Sequence, residues 1–183
     1  MSLKHGILGL LNYGEMTGYE LDKSFKRSIN MFWQAQTSQI YRELISMEKL
    51  NWVETEVVIQ HGKPNKKNYR ITELGKSELM TWLYKDKSKE FFKSRNSFLL
   101  MLFLSGEKTV DENIEMLKRF KHYCLEYFSV FDTVDESVEY YGKMLDGDKK
   151  RVYWDIVINL GKINKVKTLE WIDDSIVKLE GLK

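Results

Sequence analysis

Residues 37–75 place a short helix, two strand-like runs and a sharp turn in an order that few small folds accommodate: TSQIYRELISMEKLNWVETEVVIQHGKPNKKNYRITELG. Thr37, Ser38 and Gln39 suit a helix N-cap, and Ile40, Leu44, Met47 and Leu50 follow at helical spacing, which predicts one short amphipathic helix. Residues 52–60 and 66–71 then read as strands, separated by the turn cluster His61-Gly62-Lys63-Pro64-Asn65. The helix offers Thr37, Ser38, Gln39, Tyr41, Arg42 and Lys49 outward, and the hairpin tip carries Lys63, Asn65, Lys66 and Lys67. Such a helix fits a major groove while a basic tip reaches phosphates, so the stretch predicts a winged helix-turn-helix on double-stranded DNA.

Overall charge does not make this case. The chain has 183 residues and a formal net charge of +2, too small to indicate a polyanionic partner by itself. Position carries the signal instead: Lys63, Lys66, Lys67, Arg70 and Lys76 are met only by Glu73 between His61 and Lys76. A solvated surface is the competing reading of such a run.

Upstream, Leu3, Ile7, Leu8, Leu10 and Leu11 form an apolar stripe that Asn12-Tyr13-Gly14 ends, giving a first helix. Thr17-Gly18-Tyr19-Glu20 matches a capping box, so a second helix begins there and runs to about residue 27, with Tyr19, Leu21 and Phe25 expected to pack inward. The connector Ile29-Asn30-Met31-Phe32-Trp33 reads as core, with a ligand pocket as the alternative.

Downstream of the hairpin, Thr72 is the expected N-cap of a helix carrying Leu74, Leu79, Trp82 and Leu83. The charged, apolar-poor stretch 85–90 is the expected boundary, giving domains 1–85 and 88–183. A helix is expected over residues 90–104. From a second capping box at Thr109–Glu112, Ile114, Leu117, Phe120, Cys124, Tyr127, Phe131, Val134, Val138 and Tyr141 recur at steps of three and four. A third series, from Val152 through Ile156, Leu160, Ile163, Val166 and Ile172 to Leu179, runs from an Asp148 cap to Gly181. Two helices of about thirty residues would form an antiparallel arm roughly 45 Å long. An arm of that length exposes more apolar stripe than a small monomer covers, which predicts a homodimer. The fold class is therefore mostly α with a small β-hairpin wing: an N-terminal winged helix-turn-helix followed by a C-terminal long-helix dimerisation domain.

Catalytic and metal chemistry find no candidate. His122 and Cys124 are two apart on a helix and do not face each other, and His5 and His61 lack a second ligand at useful spacing. Gly-rich phosphate loops, G-x-S-x-G and H-E-x-x-H are absent from the sequence. No cofactor is expected. Cys124 reads as a buried small hydrophobe rather than a redox sensor, and one cysteine forms no intrachain disulfide. The apolar run 98–104 is far short of the roughly 20 residues that span a membrane. With no signal-peptide pattern at the start, the cytoplasm is the expected compartment.

Five separated blocks carry a family likeness: Ile7-Leu8-Gly9-Leu10-Leu11; Thr17-Gly18-Tyr19-Glu20-Leu21; Phe32-Trp33; Gln39-Ile40-Tyr41-Arg42-Glu43-Leu44; and Gly62-Lys63-Pro64-Asn65-Lys66-Lys67-Asn68-Tyr69-Arg70-Ile71-Thr72-Glu73-Leu74-Gly75. In type, order and spacing the chain from residue 4 to about 83 resembles the PadR-like transcriptional regulators. The remainder is similar to their AphA-type helical domain in length and helix pattern. The resemblance implies a homodimeric winged-helix DNA binder, most often a repressor, with recognition helix 38–49, wing tip 62–67 and dimerisation through the C-terminal helices. It also implies a response to phenolic or other aromatic small molecules, for which Phe32, Trp33, Phe98 and Phe103 are the candidate aromatics. Two positions depart from the pattern. Arg42 stands where the family usually has proline, and Asn51 where it usually has glycine. A rival reading keeps the winged helix but makes it a protein-interaction module that never touches DNA; a basic hairpin tip disfavours it.

Overall fold

The computed structural model describes residues 3–59, 65–91, 95–131 and 148–183. Two compact units emerge, residues 1–88 and 89–183. The first is built from α1 (Leu3–Leu11), β1 (Met16–Thr17), α2 (Gly18–Arg27), α3 (Thr37–Lys49), β2 (Val53–Val58), β3 (Lys66–Ile71) and α4 (Glu73–Leu83). The second contains α5 (Ser97–Phe103), α6 (Val110–Phe128) and α7 (Asp148–Glu180). A mostly helical chain with a small wing and a long C-terminal helix is the fold class that the sequence predicts.

The expected apolar stripes make the core of the first unit. Ile7, Leu8, Leu21, Phe25, Ile40, Leu44 and Met47 are wholly buried, and Val53, Ile71 and Leu79 close the cluster from the sheet and α4. Thr17 starts α2 through the predicted capping box: its hydroxyl accepts from the Glu20 N–H at 3.2 Å, and Glu20 Oε2 accepts from the Thr17 N–H at 2.9 Å. The Thr17 N–H, contributing most, and the Thr17 hydroxyl, donating to the same Oε2 at 2.8 Å, hold the Glu20 carboxyl below its ordinary range. Tyr19 departs from expectation. It is 70% exposed, because its ring sits off the Leu21–Phe25 side that α2 turns to the core.

The hairpin is antiparallel, with Val53 opposite Ile71 and Val58 opposite Lys66. A third strand was not legible: Met16 and Thr17 pair with Tyr69 and Asn68, giving the sheet order β1-β3-β2. Pairing to β3 creates this two-residue strand, and so short a segment carries no alternation of its own.

The turn from α3 into β2 explains the Asn51 departure. Asn51 has φ 55°, the left-handed conformation in which glycine and asparagine are the least strained residues. The Trp52 N–H donates to the Met47 carbonyl at 2.9 Å and the Asn51 N–H to the Glu48 carbonyl at 3.0 Å, the paired bonds of a Schellman stop. Leu50, expected inward, is 45% exposed because this turn carries it away from the Ile40-Leu44-Met47 side. Thr72 caps α4 as expected, accepting from the Gly75 N–H at 3.1 Å, and donates its own hydroxyl to the Asn51 carbonyl at 2.6 Å. A Cβ on Gly75 would lie 2.1 Å from the Trp52 carbonyl oxygen, so the α3 turn and the start of α4 meet through bare backbone.

In the second unit the predicted box at Thr109 and Glu112 starts α6. Leu117, Cys124 and Ile172 form its buried centre, with Phe98, Phe120, Leu169 and Ile176 packed around them. Expectation and structure differ in helix length here. The helix expected over 90–104 spans Ser97–Phe103, starting where the Asn96 side chain accepts from the Leu99 N–H at 3.0 Å. The α6 helix stops at Phe128, where the Ser129 hydroxyl donates to the Glu126 carbonyl at 2.7 Å, the local competition by which serine weakens a helix. Val134, Val138 and Tyr141 lie outside the described residues. The third series forms one helix of 33 residues, about 50 Å long.

Candidate nucleic-acid interface

The α3 helix begins one residue earlier than the expected cap. Gln36 is the N-cap, and its N–H donates to Gln39 Oε1 at 2.8 Å. Gln39 is thereby partly committed to holding the helix start, and its amide NH2 keeps two donors for an outside acceptor. The Thr37 hydroxyl accepts from Lys26 Nζ at 2.7 Å, and the same ammonium reaches Asp22 at 2.7 Å, which ties the start of α3 to α2.

Thr37, Ser38, Gln39, Tyr41, Arg42 and Lys49 are all exposed, and Ser38, Tyr41, Arg42 and Lys49 share the side of α3 turned away from Ile40, Leu44 and Met47, whereas Thr37 stands above Leu44 at the first turn. Arg42 folds back along its helix, Nε donating to the Ser38 carbonyl at 3.4 Å, and its guanidinium end stays in solvent. Tyr41 is held differently. Its ring lies over Gly18, where a Cβ would come within 2.7 Å of Tyr41 Cε1 and 2.9 Å of its hydroxyl oxygen. Gly18 is thus required by a close approach across two helices, which sequence spacing does not reveal. Ile45, outside the expected set, is 53% exposed between Tyr41 and Lys49. Its signal was present, since position 45 falls off the Ile40-Leu44-Met47 series.

The wing stands beside this helix. Glu48 of α3 accepts from the Thr55 hydroxyl of β2 at 2.6 Å and sits 3.9 Å from Lys67 of β3. Burial, with the nearby Glu48 carboxylate and then Tyr41 adding to it, pushes the Tyr69 phenol above its ordinary value, so Tyr69 serves as packing under this junction. Asn65, Lys66 and Lys67 are exposed at the start of β3, and Lys66 lies close enough to the α2 capping box to help hold Glu20 ionised. Lys63 lies outside the described residues. Arg70, on the same strand, is paired to Glu54 at 2.9 Å.

The candidate aromatics do not share one environment. Phe32 and Trp33 are exposed in the first unit, after a short 3-10 turn. Phe98 stacks on Phe120 at 3.9 Å between centroids inside the second unit, whereas Phe103 is 86% exposed. Cys124 is buried, and desolvation pushes its thiol up. Among the described residues no group of three or more His, Cys, Asp or Glu is placed to hold a metal, and no helix is long and apolar enough to cross a membrane.

A three-stranded wing packed beside a helix with an exposed polar and basic side defines a winged-helix protein. Residues 7–81 match the Transcriptional regulator PadR-like family, and residues 94–180 match the family described as Virulence activator alpha C-term. The chain thus pairs a PadR-like family domain with an AphA-type C-terminal domain. A Mycobacterium tuberculosis protein named "Probable transcriptional regulator Rv1176c" is 48% identical over 83 residues, 45% of this chain and 44% of that one. The Negative transcriptional regulator PadR of Bacillus subtilis is 43% identical over 81 residues, 44% of each chain. These matches span less than half the length of either relative. Bacillus subtilis PadR in complex with operator DNA has a TM-score of 0.77 at 24% identity, covering 98% of this chain and 99% of that one. Its complex with p-coumaric acid gives 0.71 at 22%, covering 97% and 95%. The Vibrio cholerae virulence activator AphA gives 0.74 at 22% over the whole of both chains. The family and these relatives are transcriptional regulators, not enzymes.

Proposed function

We propose that this protein is a sequence-specific DNA-binding transcriptional regulator, of the repressor type, that binds pseudo-palindromic duplex DNA as a homodimer in the cytoplasm. One observation carries the reading: Ser38, Tyr41, Arg42 and Lys49 are exposed together on α3, and Lys66 and Lys67 are exposed at the tip end of the wing strand β3. In this reading the α3 side chains enter a major groove, Asn65, Lys66, Lys67 and Lys63 grip the flanking backbone, and two subunits address half-sites roughly 34 to 36 Å apart. The operator complex of the Bacillus subtilis relative and its name as a negative regulator support the DNA partner and the direction of control. The relative's p-coumaric acid complex supports an aromatic acid as effector. Such a ligand shifts operator binding only by the difference in its affinity for the two dimer geometries.

The test is a titration of the purified protein on its own upstream DNA against scrambled DNA at two salt concentrations. Tight, salt-sensitive binding that prefers the upstream sequence is expected. Weak and equal binding to both duplexes, with and without added aromatic acids, would instead favour the protein-interaction reading of the winged helix.

A further inference from the structure

We infer that Ile45 is a specificity-determining residue that reads the C5 methyl group of a thymine in the operator; this rests on the DNA-binding reading above. At about 100° per residue, Tyr41, Ile45, Ser38, Lys49 and Arg42 fall in that order within one arc of roughly 100° around α3. The arc is centred well away from the buried series Ile40, Leu44 and Met47. Every other member of it offers a hydroxyl, an ammonium or a guanidinium. Ile45 offers a branched hydrocarbon, 53% exposed, flanked by Tyr41 one turn before and Lys49 one turn after.

Neither core packing nor helix formation accounts for an isoleucine at this place. It adds nothing to the wholly buried cluster, and a β-branched residue is a weaker helix former than the lysine, glutamate or alanine that an exposed site accepts freely. In the major groove the four base pairs are distinguished by donors, acceptors and one apolar group, the thymine methyl. An apolar side chain in the centre of a polar reading arc is complementary to that group and to nothing else on the groove floor. Ile45 therefore favours a T·A pair at one position in each half-site, beside positions read by the hydrogen-bonding side chains.

The experiment selects bound sequences from a random duplex pool with the full chain, then replaces each thymine of the selected operator by uracil, which removes the methyl and leaves the pairing edge intact. Affinities are read by fluorescence anisotropy for the wild type and Ile45→Ala, with Arg42→Ala as a comparison. One thymine per half-site is expected at which uracil weakens the wild type about fourfold, the effect of one buried carbon, and about sixteenfold when both half-sites are changed. Ile45→Ala should bind the thymine and uracil duplexes equally, while Arg42→Ala retains the discrimination. The inference is overturned if no uracil substitution weakens the wild type, or if Ile45→Ala discriminates as the wild type does. Failure to select any sequence would remove the DNA-binding reading itself, a separate and visible outcome.

Discussion

Replacing Gly18 with alanine adds one methyl group at the point where Tyr41 rests on the start of α2. The new carbon would lie 2.7 Å from Tyr41 Cε1, 2.9 Å from its hydroxyl oxygen and 3.0 Å from Cζ. Ordinary contact between carbons is about 3.5–4.0 Å, so the ring must withdraw by roughly 1 Å. Tyr41 is at the surface, 38% exposed, and swings outward without opening the core. The folding cost is correspondingly small, within about 1 kcal/mol, and is partly offset by the better helix propensity of alanine. Binding is affected more. A phenol displaced by about 1 Å loses a hydrogen bond to a base or phosphate, about 1.4 kcal/mol or tenfold in affinity. Anisotropy titration of an operator duplex should show that loss in Gly18→Ala. In the Tyr41→Ala background, with the ring gone, the same substitution should cost nothing, so the two changes should be strongly non-additive. Equal losses in both backgrounds would refute the idea that Gly18 acts by positioning Tyr41. A fall in thermal midpoint large enough to explain the binding loss would refute it as well.

Other expectations follow from the same geometry. Lys66→Ala should weaken binding uniformly across sequences and lower the slope of log affinity against log salt by about one unit, which titration at several salt concentrations measures. The Glu20 pKa is depressed in the folded state, so its contribution to stability is fully present above the ordinary glutamate value of 4.5 and is lost as pH falls through the lower folded value. Thermal midpoints of wild type and Glu20→Gln should therefore differ at neutral pH and converge in acid. Cys124, buried with its thiol pushed up, should react with a thiol reagent only as fast as the second unit opens, and at once in denaturant.

What the sequence discloses about this molecule depends on how local each cause is. The boxes at Thr17–Glu20 and Thr109–Glu112 are legible because both partners lie three residues apart. Thr72 as the cap of α4, and Ile40, Leu44 and Met47 as the buried side of α3, are legible for the same reason. The two-residue β1 is not, because its pairing partner is some fifty residues away on β3. Gly18 matters through Tyr41 and Gly75 through Trp52, contacts that depend on how helices and turns meet. In the candidate site, exposure of the α3 residues follows from helical period alone. Two details lie beyond the period: Gln39 is partly used to cap its own helix, and Tyr41 is held against α2.

The long C-terminal helix carries the remaining prediction, on assembly. Along α7, Val152, Ile156, Leu160, Ile163 and Val166 recur at steps of four and three, and they are 42–61% exposed. A scattered apolar residue on a surface needs no partner, but five in one stripe resemble half of a helix–helix seam. Burying each fully would contribute about 1 kcal/mol beyond what it already has, so ten side chains across a two-fold interface would supply roughly 10 kcal/mol. That is of the size needed to offset the 4–15 kcal/mol cost of association, and neighbouring contacts supply the margin that makes a dimer stable. Ile156→Glu would place two carboxylates in the seam, whereas Asp155→Lys, one position away and outside the series, would not. Sedimentation should find a dimer for the wild type and Asp155→Lys, and a monomer with weakened operator binding for Ile156→Glu. A dimer undisturbed by Ile156→Glu would place the subunit contact elsewhere and leave the stripe without its proposed partner.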